Sequence, residues 1–176
     1  EGLLQHVSEY LDDMTKIIIA QHGTVDKYIG DAIMCFWGAP VDDNAQEYHS
    51  CKTALLCLAR LRVLNARWTG EGKPALHTRF GINSGEVSVG NMGSSDRMNY
   101  TVLGDAVNLA SRLEGVNKYY GTGIIVGEST HEAVKTKFCF RPLDVVAVKG
   151  KTRGVKIYQL LAGPPEESVI APSADD

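Results

Sequence analysis

Three polar side chains, Asp31, Asn108 and Arg112, have the types and spacing for chemistry on a phosphate ester. Asp31 follows Gly30 between two apolar runs, which predicts a carboxylate at the tip of a tight β-hairpin. Asn108 and Arg112 are four residues apart in a predicted helix, so they share one face. The carboxylate could hold a divalent metal ion, while the guanidinium could bind a phosphate group as charge builds on it.

The composition is that of an ordinary globular domain. Charged residues make up 22% of the 176 residues and the net charge is −3, with no basic block, so no nucleic-acid partner is expected. No apolar run is long enough to span a bilayer. The four cysteines lack metal-ligand spacing, and three lie in apolar patterns typical of buried thiols. We therefore expect a reduced, cytoplasmic domain, within a full-length protein that could still be membrane-anchored.

Helices and strands are predicted to alternate irregularly, which favours an α+β fold with helices packed on a mostly antiparallel sheet. Asp43 or Asn44 is expected to cap the second helix, and Asp105 the third. Residues 1–163 are predicted to form one domain and residues 164–176 a disordered tail. The predicted helices are Gly2–Gln21, a helix ending near Trp68, Asp105–Tyr119 and Ser129–Lys135. The predicted strands are a hairpin over Thr24–Gly38, Leu76–Ile82, Glu86–Gly90, Met98–Val102, Gly123–Val126, Phe138–Val148 and Val155–Leu161.

Two motifs carry a family resemblance. They read Lys27-Tyr-Ile-Gly-Asp-Ala-Ile-Met34 and Tyr100-Thr-Val-Leu-Gly-Asp-Ala-Val-Asn-Leu-Ala-Ser-Arg112, in that order. Together they resemble the class III nucleotidyl cyclases over residues 3–161. The resemblance implies a ferredoxin-like class III cyclase fold and an adenylate cyclase, which converts ATP to 3′,5′-cyclic AMP and pyrophosphate for intracellular signalling.

The resemblance also implies two divalent cations, Mg²⁺ or Mn²⁺. Asp31 matches the family's second metal-binding aspartate, and Ile29 and Gly30 beside it are expected to contact the substrate. The family places its first metal-binding aspartate on a strand before the first helix, so we expect that residue ahead of Glu1. On this interpretation the chain is truncated at its N-terminus and should be weakly active or inactive alone.

Lys27 and Thr101 match the two positions that read the purine in this family. A lysine ammonium can donate to a ring nitrogen of adenine, and the threonine hydroxyl can accept from its amino group. Glutamate at the first position would suit guanine, so Lys27 disfavours a guanylate cyclase. Taken singly, Lys27 could equally be an ordinary solvated lysine, and Thr101 an ordinary β-branched strand residue.

The remaining site residues are also assigned by the resemblance. Asn108 should orient the ribose and Arg112 should stabilise charge on the α-phosphate, although a polar stripe on a solvated helix would look the same. Lys149, with Lys151 as the fallback, matches a lysine that meets the terminal phosphates. Arg79 matches an arginine that helps to hold the β- and γ-phosphates in some members.

The family forms its active sites between two chains. Asp31 would come from one chain, and Lys27, Thr101, Asn108 and Arg112 from the other. Because one sequence carries both sets, the resemblance predicts a homodimer with two shared sites, with regulatory domains fused to it in the full-length protein. The alternative is a non-catalytic dimerising or nucleotide-sensing module, which the missing first aspartate would favour.

Overall fold

The computed structural model describes residues 2–147 and 153–164. Its helices are α1 (Gly2–Ala20), α2 (Gln46–Gly70), α3 (Asp105–Tyr120) and α4 (Glu128–Val134). Its strands are β1 (Thr24–Ile29), β2 (Ala32–Phe36), β3 (Phe80–Ile82), β4 (Ser88–Gly93), β5 (Met98–Leu103), β6 (Ile124–Gly127), β7 (Cys139–Val146) and β8 (Val155–Ala162). None of the described helices is long and apolar enough to cross a membrane.

The described strands form one four-stranded sheet and two separate hairpins. The sheet has the order β3-β6-β8-β7, and the hairpins are β1-β2 and β4-β5. Strands β3 and β6 run parallel, whereas the other paired strands run antiparallel. The predicted α+β fold with mostly antiparallel pairing is therefore confirmed, although the pairing is divided among three units.

Three groups of buried side chains hold these units together. Helix α2 packs on the sheet and α4 through Cys51, Ala54 and Val126, among others. Its C-terminal half packs against α1, where the Trp68 ring is fully buried. Helix α3 covers the opposite part of the sheet, where Leu113 contacts the strand residues Ile125 and Ile157. The apolar faces predicted for the three long helices are thus the faces that they bury.

Helix α3 lies unusually close to strand β3. A Cβ atom placed on Gly81 would lie 2.1 Å from the carbonyl oxygen of Ala110 and 2.3 Å from the amide nitrogen of Glu114. The buried amide of Asn117 joins the same two elements, because it donates to the carbonyl oxygen of Phe80 at 2.8 Å. This close approach sets the height of α3 above the sheet.

Several predicted boundaries were wrong for identifiable reasons. The strand predicted at Leu76–Ile82 begins only at Phe80, because the backbone of Leu76 bonds in both directions with the side-chain amide of Asn65 on α2. The two strands that follow are each shifted or extended by one to three residues.

The predicted helix caps were also wrong. The N-cap of α2 is Ala45, which makes no side-chain capping bond, and the Asp43 carboxylate instead accepts from the Ala45 amide at 2.9 Å. The N-cap of α3 is Gly104, so Asp105 lies in the first turn. There its negative charge still stabilises the helix through the helix dipole.

The contact between α3 and β3 predicts opposite effects for two alanine substitutions. Gly81→Ala should destabilise the fold by about 2–3 kcal/mol, because its methyl group would overlap two backbone atoms of α3. Gly115→Ala, on α3 with open space at its Cβ position, should stabilise the fold by roughly 0.5–1 kcal/mol. Thermal or urea unfolding of both variants checks this, and an unfolding free energy for Gly81→Ala equal to that of the wild type would contradict the close packing.

Candidate functional site

The tip of the β1-β2 hairpin presents Asp31. Ile29 pairs with Ala32, so Gly30 and Asp31 form a two-residue loop. Gly30 has a φ of 64°, which glycine adopts without steric strain at the first position of such a loop. The side chains of Ile29 and Asp31 are both exposed at this tip. The predicted hairpin with a carboxylate at its tip is therefore present.

Tyr10 of α1 lies next to the hairpin tip. Burial raises the pKa of the Tyr10 hydroxyl, and the negative charge of Asp31 raises that pKa further. The same hydroxyl accepts a hydrogen bond from Thr78 at 2.8 Å. Thr78 directly precedes Arg79 in the chain, so Tyr10 contacts the segment that leads to Arg79, and Ile33 of β2 packs against the same buried group.

The hairpin tip suits a magnesium ion that is held partly by substrate and water better than a metal ion held by protein side chains alone. Within the described residues, no group of three or more His, Cys, Asp or Glu side chains is placed to hold a metal. Magnesium, however, is commonly held by one or two carboxylates together with substrate phosphates and water. An exposed carboxylate on a rigid two-residue loop suits that arrangement. The second aspartate, expected ahead of Glu1, stays a prediction.

A β-bulge changes the direction in which side chains of strand β1 point. Val25 pairs with Cys35 and Lys27 pairs with Met34, so Asp26 has no partner residue on β2. In a regular strand, successive side chains point to opposite faces of the sheet. The bulge breaks that alternation. Asp26 and Lys27 are consequently both able to reach strand β5.

Both of these side chains meet Thr101 on β5. The hydroxyl of Thr101 donates to Asp26 Oδ2 at 2.5 Å, and Lys27 Nζ donates to Thr101 Oγ1 at 3.4 Å. Lys27 Nζ also lies 3.4 Å from Asp26 Oδ1, and the Asp26 side chain is only 1% exposed. The two residues predicted to read the purine are thus in direct contact, around a buried carboxylate.

Helix α3 presents Asn108 and Arg112 to solvent. Both side chains are exposed and lie one turn apart, as their spacing predicts. Arg112 Nη1 donates to the carbonyl oxygen of Ala147, at 2.6 Å, just after strand β7. That bond holds the guanidinium beside the segment that leads to Lys149. Lys149 and Lys151 lie outside the described residues.

Arg79 lies in a different neighbourhood from the purine-reading pair. Its side chain is exposed, and its Nε lies 3.3 Å from Glu114 Oε1 on α3. It lines an open groove between α2 and α3 together with His77 and Lys118. No hydrogen bond or ion pair within residues 2–147 and 153–164 joins Arg79 to Lys27, Thr101 or Asp31.

The cysteines have no features of a nucleophilic site. Burial raises the pKa of Cys51 and Cys57 to about 12, so both remain protonated thiols at neutral pH. The prediction of buried cysteines is confirmed for these two.

Sequence reasoning missed Asp26. The strict alternation expected of a strand puts it on the face opposite Lys27, so it attracted no attention beside its neighbour. One signal was available, because aspartate is depleted in strand interiors and Asp26 lies inside strand β1. Such a residue marks either a bulge or a polar interaction, and here it marks both.

Comparisons with known proteins identify the family and agree with the fold. A model of the adenylate and guanylate cyclase catalytic domain matches residues 1–162. The chain is 37% identical over 161 residues to Adenylate cyclase 1 of Rhizobium meliloti (strain 1021), which covers 92% of this chain and 24% of that protein. It spans about a third or less of the length of each of three curated adenylate cyclases that it resembles.

Two solved structures share the fold at similar levels. The adenylyl cyclase CyaB from P. aeruginosa aligns with a TM-score of 0.85 and 33% identity, over 94% of this chain and 85% of that one. The guanylyl cyclase Cya2 aligns with a TM-score of 0.82 and 30% identity, over 94% of this chain and 83% of that one.

Proposed function

The chain belongs to the family of adenylate and guanylate cyclase catalytic domains, and we propose that it acts there as an adenylate cyclase. In this reaction the ribose 3′-hydroxyl of ATP attacks the α-phosphorus of the same molecule. A bond forms between O3′ and the α-phosphorus, the bond from that phosphorus to the bridging oxygen breaks, and pyrophosphate leaves. The products are 3′,5′-cyclic AMP and pyrophosphate.

The contact between Lys27 and Thr101 is the observation that favours ATP over GTP as the substrate. Their polar atoms are 3.4 Å apart, a spacing that lets both meet one edge of a purine base. The ammonium group suits the ring-nitrogen acceptor of adenine, and the hydroxyl can accept from the adenine amino group. Similarity of fold does not separate the two activities, because an adenylyl and a guanylyl cyclase align almost equally well. A guanylate cyclase is therefore the second candidate, and these two side chains argue against it.

The other residues bind and orient the triphosphate. The Asn108 amide is proposed to position the ribose, and Arg112 to stabilise the charge that builds on the α-phosphate. Arg79, and Lys149 beyond the described residues, would hold the terminal phosphates. Asp31, with Ile29 and Gly30 beside it, would hold two Mg²⁺ or Mn²⁺ ions together with the substrate and the expected second aspartate.

When bound, those ions supply activation of the 3′-hydroxyl and neutralisation of the leaving pyrophosphate. Positioning and charge stabilisation by the protein account for most of the remaining catalysis, as in other phosphoryl transfers.

We propose that each site is shared between two copies of the chain. In this proposal Asp31 comes from one copy, and Lys27, Thr101, Asn108 and Arg112 come from the other. The two hairpins also expose apolar side chains, with Ile29 60% exposed and Leu103 57% exposed. Apolar surface of this kind supports an interface on the hairpins. Regulatory domains in the same polypeptide remain part of the proposal.

The proposed metal site predicts a specific loss of activity. In the full-length protein, Asp31→Asn should lower the rate of cyclic AMP formation with Mg²⁺ by roughly a hundredfold or more, because a neutral amide is a poor ligand for a hard cation. Asp42→Asn removes another exposed carboxylate outside the proposed site and should leave the rate unchanged. The thermal unfolding temperature of both variants should match that of the wild type. More than about a tenth of wild-type turnover in Asp31→Asn would exclude Asp31 from the site.

The proposed purine readers predict a change of nucleotide preference. Lys27→Glu combined with Thr101→Cys should lower the ratio of kcat/KM for ATP to kcat/KM for GTP by about tenfold or more, because each mismatch leaves buried polar groups unpaired. Lys16→Glu, an equal charge change on the exposed face of α1, serves as the control. An unchanged ratio in the double variant would show that these positions do not read the base.

The shared site predicts rescue between two inactive variants. Asp31→Asn and Arg112→Ala should each be nearly inactive as homodimers. When equal amounts exchange subunits, about half of the dimers carry both lesions in one site and none in the other, so roughly a quarter of wild-type activity should return. Pull-down of one tagged variant by the other confirms exchange. Exchange without rescue would contradict the shared site while leaving the assignment of the reaction intact.

A further inference from the structure

Asp26 is a buried carboxylate that the proposed reaction leaves without a role. Its side chain is 1% exposed, yet it lies one residue from Lys27 on a strand that ends at the hairpin tip. Burying a charge is costly unless other groups compensate it. Here the compensating groups are the Thr101 hydroxyl, at 2.5 Å from Oδ2, and the Lys27 ammonium, at 3.4 Å from Oδ1. Both are the residues proposed to read the purine.

The bond between Asp26 and Thr101 determines what Thr101 can offer to a ligand. A threonine hydroxyl has one proton and two acceptor sites, whereas an ionised carboxylate can only accept. Thr101 must therefore donate its proton to Asp26. One of its acceptor sites faces Lys27 Nζ at 3.4 Å, and the other is left for a ligand.

An acceptor at this position distinguishes the two purines. The 6-position of adenine carries an amino group that donates, and that of guanine carries a carbonyl oxygen that accepts. A hydroxyl free to rotate could serve either base, because it can donate as well as accept. A hydroxyl that already donates its proton to another group can only accept from the base, and so it can bind adenine but not guanine at this position. The selectivity of Thr101 then depends on its neighbour.

We propose that Asp26 is a positioning residue for base selection: it holds the hydroxyl proton of Thr101, so that Thr101 meets the purine only as an acceptor and favours adenine over guanine. This proposal rests on the adenylate cyclase function proposed above. The bulge at Asp26 is the structural device that makes it possible, since a regular strand would direct Asp26 away from Lys27 and Thr101.

Two substitutions that keep the branched, four-heavy-atom side chain of aspartate test whether the hydrogen-bond acceptor or the packing of Asp26 sets the preference. Asp26→Leu removes the acceptor, frees the Thr101 proton and should lower the ATP to GTP ratio of kcat/KM by about tenfold. Asp26→Asn keeps an amide oxygen that accepts the same proton, so the ratio should change by no more than about twofold. Asp26→Ala provides a second variant without an acceptor. Both kcat/KM values of a ratio are measured on the same preparation, so a lower fraction of folded protein reduces both equally and leaves the ratio unchanged.

A second background shows whether Asp26 acts through Thr101. In Thr101→Val, which has no hydroxyl to orient, Asp26→Leu should change the ratio by less than about twofold. The ratio of dissociation constants for 3′-deoxy-ATP and 3′-deoxy-GTP, which cannot cyclise, should follow the same pattern. These binding measurements give the answer independently of turnover.

The possible outcomes separate the two proposals. Equal losses for ATP and GTP in Asp26→Leu, equal ratios for Asp26→Leu and Asp26→Asn, or a full change of ratio in the Thr101→Val background would each overturn the role of Asp26. A full-length wild-type protein that prefers GTP, or that forms no cyclic AMP, would overturn the adenylate cyclase proposal instead.

Discussion

The close approach of α3 to β3 is the constraint on which the candidate site depends. Position 81 has no room for a side chain, because two backbone atoms of α3 occupy the space where a Cβ would lie. The buried Asn117 amide then ties the helix to the end of the strand. A helix held at backbone contact cannot slide or rotate without breaking that packing. The exposed Asn108 and Arg112 therefore project from a rigid support, which suits groups that must meet a transition state with little reorganisation.

The two hairpins are joined to each other differently from the strands of the central sheet. No backbone ladder between β1 and β5 is present in the described part of the chain, and the polar link between them runs from Asp26 and Lys27 to Thr101. A side-chain link is more sensitive to charge and to bound ligands than a ladder of backbone bonds. The residues proposed to recognise the base therefore also link the two hairpins.

Much of the fold could be predicted because its signals are local. Helix α3 begins at the predicted residue, and the loop at Gly30 and Asp31 has the predicted length, since both depend on spacing within a few residues. The strand predicted from Leu76 failed because Asn65, on another element, takes up the backbone bonds of that residue. Such competition is set by tertiary contacts, which periodicity does not contain.

The site could be predicted only in part for the same reason. Lys27, Asp31, Asn108 and Arg112 were identified by residue type and motif, and the structure places them on the expected elements. Asp26 was not identified because its contact with Thr101 depends on a bulge, and one inserted residue reverses which face a side chain occupies. A distance between side chains 75 positions apart is likewise absent from any local pattern.

The position of β8 has a consequence for how the domain is made. This strand is the last described element of the chain, yet it lies between β6 and β7 and buries Ile157 and Leu160. During synthesis from the N-terminus, the hairpins and helices emerge first, while the central sheet lacks an inner strand until residue 162 has left the ribosome. The nascent chain must meanwhile keep the apolar faces of α2 and α3 from other proteins. The central sheet therefore cannot close before the last described strand of the domain has been made.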